Sequence, residues 1–165
     1  MGHTVYVEFT KPDKWFKPFA WAIQWFEGTD YSHVRLRWHS TSGEELIYEA
    51  SGSSVKLIGR YAKHLHPAVS IKSYKFDLTP EQYRKMIGLF RFAGVEYGIW
   101  QVLGIAVARW LCLKKNPFSL GRYAQVCSEL VAVFLEDVLN LDVGEDLDLV
   151  GPRQLQEFLE RLTTP

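Results

Sequence analysis

A cysteine, a histidine and a glutamate together supply the parts of a nucleophilic site. Cys127 lies in the stretch Tyr123-Ala124-Gln125-Val126-Cys127-Ser128-Glu129-Leu130-Val131, which reads as the start of a helix. Backbone N–H groups left free at a helix N-terminus lower a thiol pKa and can donate to an oxyanion. Such a thiol needs a base to take its proton and a group that orients the base. His33 and Glu49 are the residue types for those roles, and distance along the chain is no obstacle because such sites assemble in space. Each residue also has an ordinary explanation. A cysteine in an apolar helix is most often a small hydrophobe, and a His–Glu pair across two strands can be structural. Cys112, inside the run Trp110–Leu113, suits the hydrophobe reading. Cys127 suits it less, because Ser128 and Glu129 make its helix start polar on one side.

The elements that must position these residues follow from periodicity. His33 to Trp38 alternates, with Val34, Leu36 and Trp38 on one face and His33, Arg35 and Arg37 on the other. Glu44 to Ala50 alternates likewise, with Leu46 and Tyr48 opposite Glu45, Ile47 and Glu49. The segment His39-Ser40-Thr41-Ser42-Gly43 between them has turn composition. Setting Trp38 against Glu44 places Arg37 against Glu45, Leu36 against Leu46, Val34 against Tyr48 and His33 against Glu49. That register matches apolar with apolar and base with acid, and a slip of one residue would destroy both matches. A carboxylate so placed can orient an imidazole and stabilise its protonated form.

Around the hairpin, Thr4 to Phe9 reads as a strand. Asp13 can cap a helix from Lys14 to about Phe26, with Pro18 in its first turn and Gly28, Thr29 and Asp30 ending it. Short strands are expected near Ser54 to Ile58 and Val69 to Phe76. Thr79, Pro80 and Gln82 form a capping-box start for a helix to about Ala93. Helical runs follow from Ile99 to Leu113 and from Val126 to Leu139, and Pro152 opens a last short helix with Leu155, Phe158 and Leu162 on one face. No repeat or linker divides residues 1–165, so the chain reads as a single α+β domain, an antiparallel sheet packed against helices.

Three segments carry a resemblance: Asp30-Tyr31-Ser32-His33-Val34, Tyr48-Glu49-Ala50 and Val126-Cys127-Ser128-Glu129-Leu130-Val131. They resemble the motifs of circularly permuted NlpC/p60-like, papain-fold cysteine hydrolases of the YiiX-like subgroup, of which lecithin:retinol acyltransferase is a distant relative. In that group the histidine strand precedes the cysteine helix, as His33, Glu49 and Cys127 do here. The likeness extends to Trp15–Gly28 and to Gly151-Pro152 and the helix after it. It implies a permuted papain-like fold, a Cys127 nucleophile, a His33 base and Glu49 as third member. It also implies an aromatic hydroxyl near the site. Tyr97 resembles the family's tyrosine before the cysteine helix, with Tyr31 and Tyr123 as rivals, and Ser128 is a further candidate beside the oxyanion. The apolar Gly98–Leu113 segment aligns with none of these motifs. The implied reaction is thiol hydrolysis through a thioacyl-enzyme, first of an amide in a peptide such as a cell-wall peptide. The alternatives are a lipid acyl hydrolase or acyltransferase, and a binding domain that keeps the pocket without catalysis.

Composition excludes other classes. The chain has 165 residues, 47% hydrophobic and 23% charged, which suits a packed globule rather than a disordered segment. Equal numbers of basic and acidic residues, 19 each, give no electrostatic reason to expect a nucleic-acid partner. Two cysteines cannot frame a disulfide scaffold or a Cys-based zinc finger. His64 and His66, with His3 and His39, lack companion ligands, and Glu145-Asp146-Leu147-Asp148 lacks the rest of a calcium loop. Gly121-Arg122-Tyr123 matches no phosphate loop. No cofactor or metal is therefore expected. The N-terminus does not resemble a signal peptide, which makes the cytoplasm the default location, with action at a cell envelope or in a phage particle as alternatives. Gly98–Leu113 is shorter than the roughly 20 residues that span a bilayer. It is interrupted by Gln101 and Arg109, and reads as a buried or interfacial helix with peripheral membrane contact. The aromatic share of 15% is high, and suits either a core of large side chains or an apolar pocket or patch.

Overall fold

A computed structural model describes residues 3–12, 18–59, 68–119, 124–144 and 146–163. The described strands form one seven-stranded sheet in the order β5-β1-β2-β3-β4-β6-β7. These are β1 (His3–Pro12), β2 (His33–His39), β3 (Glu45–Ser51), β4 (Ser54–Gly59), β5 (Ala68–Leu78), β6 (Glu96–Tyr97) and β7 (Ala124–Gln125). Neighbours run antiparallel except β6 and β7, which are parallel. The helices are α1 (Pro18–Glu27), α2 (Pro80–Gly88), α3 (Ile99–Trp110), α4 (Cys127–Val133) and α5 (Pro152–Thr163). The chain is thus an α+β protein.

Alternation builds the core. Val5, Val7 and Phe9 of β1 and Val34, Leu36 and Trp38 of β2 are buried on one face of the sheet. Helix α4 lies across β2 and β3 and contributes Leu130 and Val131, and its continuation as a π turn adds Phe134 and Leu135. Helix α5 closes the layer with Leu155 and Leu159. Each such side chain contributes about 1.5–3 kcal/mol when fully buried. Tyr48, also buried, satisfies its hydroxyl by donating to the Leu89 carbonyl at 2.6 Å. The capping box of α2 forms as read. Gln82 N donates to Thr79 Oγ1 at 3.2 Å, and Thr79 N donates to Gln82 Oε1 at 2.9 Å. The α-helix stops at Gly88 and tightens to a 3-10 turn over Leu89–Phe92.

The β2–β3 register differs from the expected one. Leu36 faces Tyr48, Arg37 faces Ile47, Trp38 faces Leu46 and His39 faces Glu45. The cause is the turn. Ser40 N donates to Glu44 O at 2.7 Å and Gly43 N donates to Ser40 O at 3.0 Å, so the loop closes on Thr41, Ser42 and Gly43 alone. Gly43 takes φ +85°, the left-handed position of a three-residue hairpin loop. The shorter loop slides the pairing by two residues, and an even slip returns every side chain to its own face. The expected Arg37–Glu45 pair becomes a loose contact at 3.9 Å. Arg37 and Arg35 instead converge on the buried Glu8 of β1, at 2.6 and 3.1 Å.

Helices α1 and α3 sit differently from the others. In α3 the buried residues are Gln101, Gly104, Ile105 and Ala108, while Ile99, Trp100, Leu103 and Trp110 face outward. In α1, Trp21, Trp25 and Phe26 are exposed. The expected start of α1 at Lys14 lies outside the described residues, as do Asp13, Tyr123, His64 and His66. Among the described residues, no helix is long and apolar enough to cross a membrane. Cys112, read as a buried hydrophobe, is exposed instead. Helix α3 ends at Trp110, and Cys112 takes φ +52° while Leu113 N donates back to Ala108 O at 2.7 Å. That is a Schellman turn with cysteine where glycine is usual.

The two outward-facing helices are tied down by one polar joint. Arg109 of α3 meets Glu27 of α1 at 2.5 Å, donates to Leu149 O at 3.2 Å and also bonds Gln154 of α5. Arg153 N of α5 donates to the other Glu27 oxygen at 3.3 Å. Gly151 makes room: a Cβ there would lie 2.5 Å from Arg109 Nη2 and 2.6 Å from Glu27 Oε1.

Candidate active site

The turn from β7 into α4 presents Cys127. Val126 is extended and Cys127 opens the helix, so the thiol sits where backbone N–H groups lack intrahelical acceptors. Leu130 and Val131 pin the helix into the core one turn later. Glu129 reaches back to Val126 N at 3.5 Å and helps shape the turn. Cys127 is only 4% exposed.

His33 stands at the first position of β2, beside this turn, with 20% of its side chain exposed. Its Nε2 lies 3.0 Å from Glu49 Oε2. The two-residue slip takes Glu49 off the position directly opposite His33, but both stay on one face and meet diagonally. Ser51, two residues along on the same face of β3, donates to Glu49 Oε1 at 2.6 Å. Both oxygens of Glu49 are therefore engaged. The i, i+2 spacing of Glu49 and Ser51 on a strand was the available sequence signal for this orienting hydroxyl.

The electrostatics follow from burial and proximity. Burial alone would lower the His33 pKa, but the Cys127 thiolate and then Glu49 favour the imidazolium and raise it to about 10. Burial alone would raise the Cys127 pKa. The His33 imidazolium, with the Val34 and Ser128 backbone N–H groups, outweighs that and lowers it. Burial also opposes the charge on Glu49, yet His33 and Ser51 bring its pKa down to about 2. All three groups thus favour a thiolate–imidazolium–carboxylate array. With Nε2 held by Glu49, Nδ1 is the nitrogen left to exchange a proton with the thiol.

The structure separates the other candidates. Tyr97, on β6, lies against the thiol: burial and then the Cys127 thiolate push its pKa well above the ordinary value. It therefore holds its proton and can donate it in a hydrogen bond. Tyr31 packs edge-on against Phe9, and its surroundings are Glu27, Tyr74, Glu160 and Glu157 rather than the thiol. Tyr123 lies outside the described residues. The Ser128 hydroxyl donates to the Val150 carbonyl at 2.6 Å, so its side chain anchors the approach to α5 while its N–H faces the thiol.

Cys127 forms part of the wall of a cavity of about 280 Å³ between α1 and α3. That is near the lower end of the range for small-molecule sites. Ile23, Phe26, Val102, Leu103 and Ile105 line it, with Tyr97 and Ser128 at the thiol end. Among the described residues Glu27 is its one charged lining residue, and Arg109 already holds that carboxylate. The unassigned Gly98–Leu113 segment is therefore a wall of the cavity. Among the described residues, no three His, Cys, Asp or Glu side chains cluster as a metal site would require. No protein-family model matches the chain, and no curated protein matches it.

Proposed function

We propose that the protein is a cysteine acyl hydrolase of the permuted papain-like kind, acting on an ester or amide with an apolar acyl group. The observation that carries this reading is the Cys127–His33–Glu49 array, whose thiol-bearing residue forms part of the wall of an apolar cavity. The Cys127 thiolate attacks the acyl carbon, forming the S–C bond and placing negative charge on the carbonyl oxygen. The Cys127 N–H and the Tyr97 hydroxyl are the donors available to that oxyanion. His33 gives its Nδ1 proton to the departing oxygen or nitrogen as the C–O or C–N bond breaks, leaving a thioacyl-enzyme. Water then attacks, His33 takes its proton, and collapse releases the acid and restores the thiolate–imidazolium pair. An alcohol or amine in place of water would make the same site an acyltransferase. The cavity lining favours an acyl chain over the polar stem of a cell-wall peptide, the substrate class that the motifs alone put first.

The test is alkylation by iodoacetamide near pH 6, where thiols of pKa about 8.5 are almost inert, read by peptide mass at each cysteine. Cys127 should react faster than the exposed Cys112, although it is far less accessible, and His33→Ala should abolish that advantage. A Cys127 that reacts no faster than a model thiol, together with a Cys127→Ala protein that hydrolyses a p-nitrophenyl fatty ester as well as wild type, would refute the proposal.

A further inference from the structure

We infer that the outward faces of α1 and α3 form a docking surface for an anionic phospholipid bilayer, with the mouth of the cavity opening within it. This inference rests on the acyl hydrolase reading only for what the surface delivers, not for the docking itself. The exposed residues are aromatic and aliphatic. Trp25 is 75% and Trp110 81% exposed, and Trp21, Trp100, Ile99 and Leu103 are exposed beside them. Within α1 and α3 the only charged residues are Glu27 and Arg109, and they face each other across the joint with α5 rather than the solvent. Two helices with uncharged outer faces in a chain whose charge is 23% overall are not ordinary solvated helices.

Three features select a bilayer as the occupant. Tryptophan is the side chain best suited to the headgroup boundary, where an apolar ring meets a wet edge. Lys114 and Lys115 follow the exposed Leu111 and Leu113 directly, and both are exposed and make no ion pair with a described carboxylate. They add positive charge at the margin of the patch, complementary to anionic headgroups. Finally, Trp25, Phe26 and Leu103 belong both to the exposed surface and to the cavity lining. A protein partner seated there would cover the mouth of an apolar cavity, whereas a bilayer presents acyl chains that match its lining.

The experiment is co-sedimentation of the full chain with vesicles of phosphatidylcholine, with and without phosphatidylglycerol, paired with analytical ultracentrifugation of the free protein. The wild type should bind both and bind the anionic vesicles more tightly. Trp21→Ser, Trp100→Ser and Trp110→Ser combined should weaken binding by roughly tenfold or more. Lys114→Gln with Lys115→Gln should erase the preference for phosphatidylglycerol and its salt dependence. None of these residues lines the cavity, so iodoacetamide reactivity of Cys127 should survive in every variant and report an intact fold. Wild-type protein that ignores both vesicles, a tryptophan variant that binds as well as wild type, or a stable dimer dissociated by those substitutions would each overturn the inference. Vesicle binding with an inert Cys127 would sink the hydrolase reading and leave the docking surface standing.

Discussion

Helices α3 and α5 each have 12 residues, yet they relate to the core in opposite ways. α5 buries Leu155 and Leu159 and exposes Arg153, Glu157 and Arg161. That is the arrangement of a helix whose packing holds the fold together. α3 buries a glutamine, a glycine and an alanine beside Ile105, and exposes Ile99, Trp100, Leu103 and Trp110. It is held by polar contacts: Arg109 to Glu27, and Asn116 Nδ2 donating to the Gln101 carbonyl at 2.9 Å. Gly104 packs so closely on Asn116 that a Cβ there would collide with the amide. The difference separates two tasks. The apolar residues of α5 stabilise the protein, and those of α3 face a cavity and whatever meets the outer surface.

The sharpest way to break this contrast is to remove the polar joint. Arg109→Ala leaves Glu27, buried at 4% exposure, without its cation. The expected loss is about 4 kcal/mol by urea unfolding, because an uncompensated buried charge costs far more than the pair contributes. Adding Glu27→Gln should restore part of it. An Arg109→Ala protein as stable as wild type would mean that α3 is held by something else. Next in size, Leu159→Ala on α5 should cost about 3 kcal/mol, while Leu103→Ala on α3 should stay within about 0.5 kcal/mol. Equal losses at the two positions would erase the distinction.

How much of this was legible in the sequence depends on what periodicity can encode. Alternation in His33–Trp38 and Glu44–Ala50 assigned faces correctly, and since the register moved by an even number, His33 and Glu49 still share one. The slip itself was not readable, because His39-Ser40-Thr41-Ser42-Gly43 permits a wide loop as well as the tight one closed by Gly43. The gathering of Arg35 and Arg37 on Glu8 was hidden for a related reason: nothing in the first strand states which neighbour it will have. Tyr97 could not be chosen over Tyr31 from sequence, since proximity to a thiol is a tertiary fact. The orientation of α3 was the least legible feature. A helix apolar on nearly every side has no face that periodicity can mark as inner, and the packing of Gly104 against Asn116 decided it.

The underside of α3 also rests on an acid. Burial, and then the charge on Asp148, raise the Glu129 pKa to about 8, against smaller lowering contributions from Val126 N–H and Gln101. A carboxyl whose folded pKa exceeds its unfolded value of about 4.5 stabilises the fold fully below pH 4.5. That contribution is lost as pH rises through about 8. Glu129→Gln should therefore be more stable than wild type by about 2 kcal/mol at pH 9, and the gain should shrink towards pH 5. Glu49 has the opposite sign. Its pKa of about 2 makes a stabilising contribution that is present above pH 4.5 and disappears as pH falls towards 2, so Glu49→Gln should flatten the acid limb of the stability profile. Urea midpoints across this range for the two variants test both signs, and parallel profiles would refute both.

A smaller gain lies at the end of α3. Cys112 occupies the left-handed position of the Schellman turn at φ +52°, where a Cβ crowds the following carbonyl and glycine does not. Relief of that crowding exceeds the extra chain entropy that glycine gains in the unfolded state. Cys112→Gly should therefore raise stability by about 0.5–1 kcal/mol, read as a higher urea midpoint with unchanged slope. Ser in its place should give no such gain, since it keeps the Cβ. The variant also leaves Cys127 as the sole thiol, so its alkylation rate can be followed without peptide separation. A loss of stability in Cys112→Gly would mean that α3 does not end in this turn, and the placement of Lys114 and Lys115 at the margin of the aromatic face would fall with it.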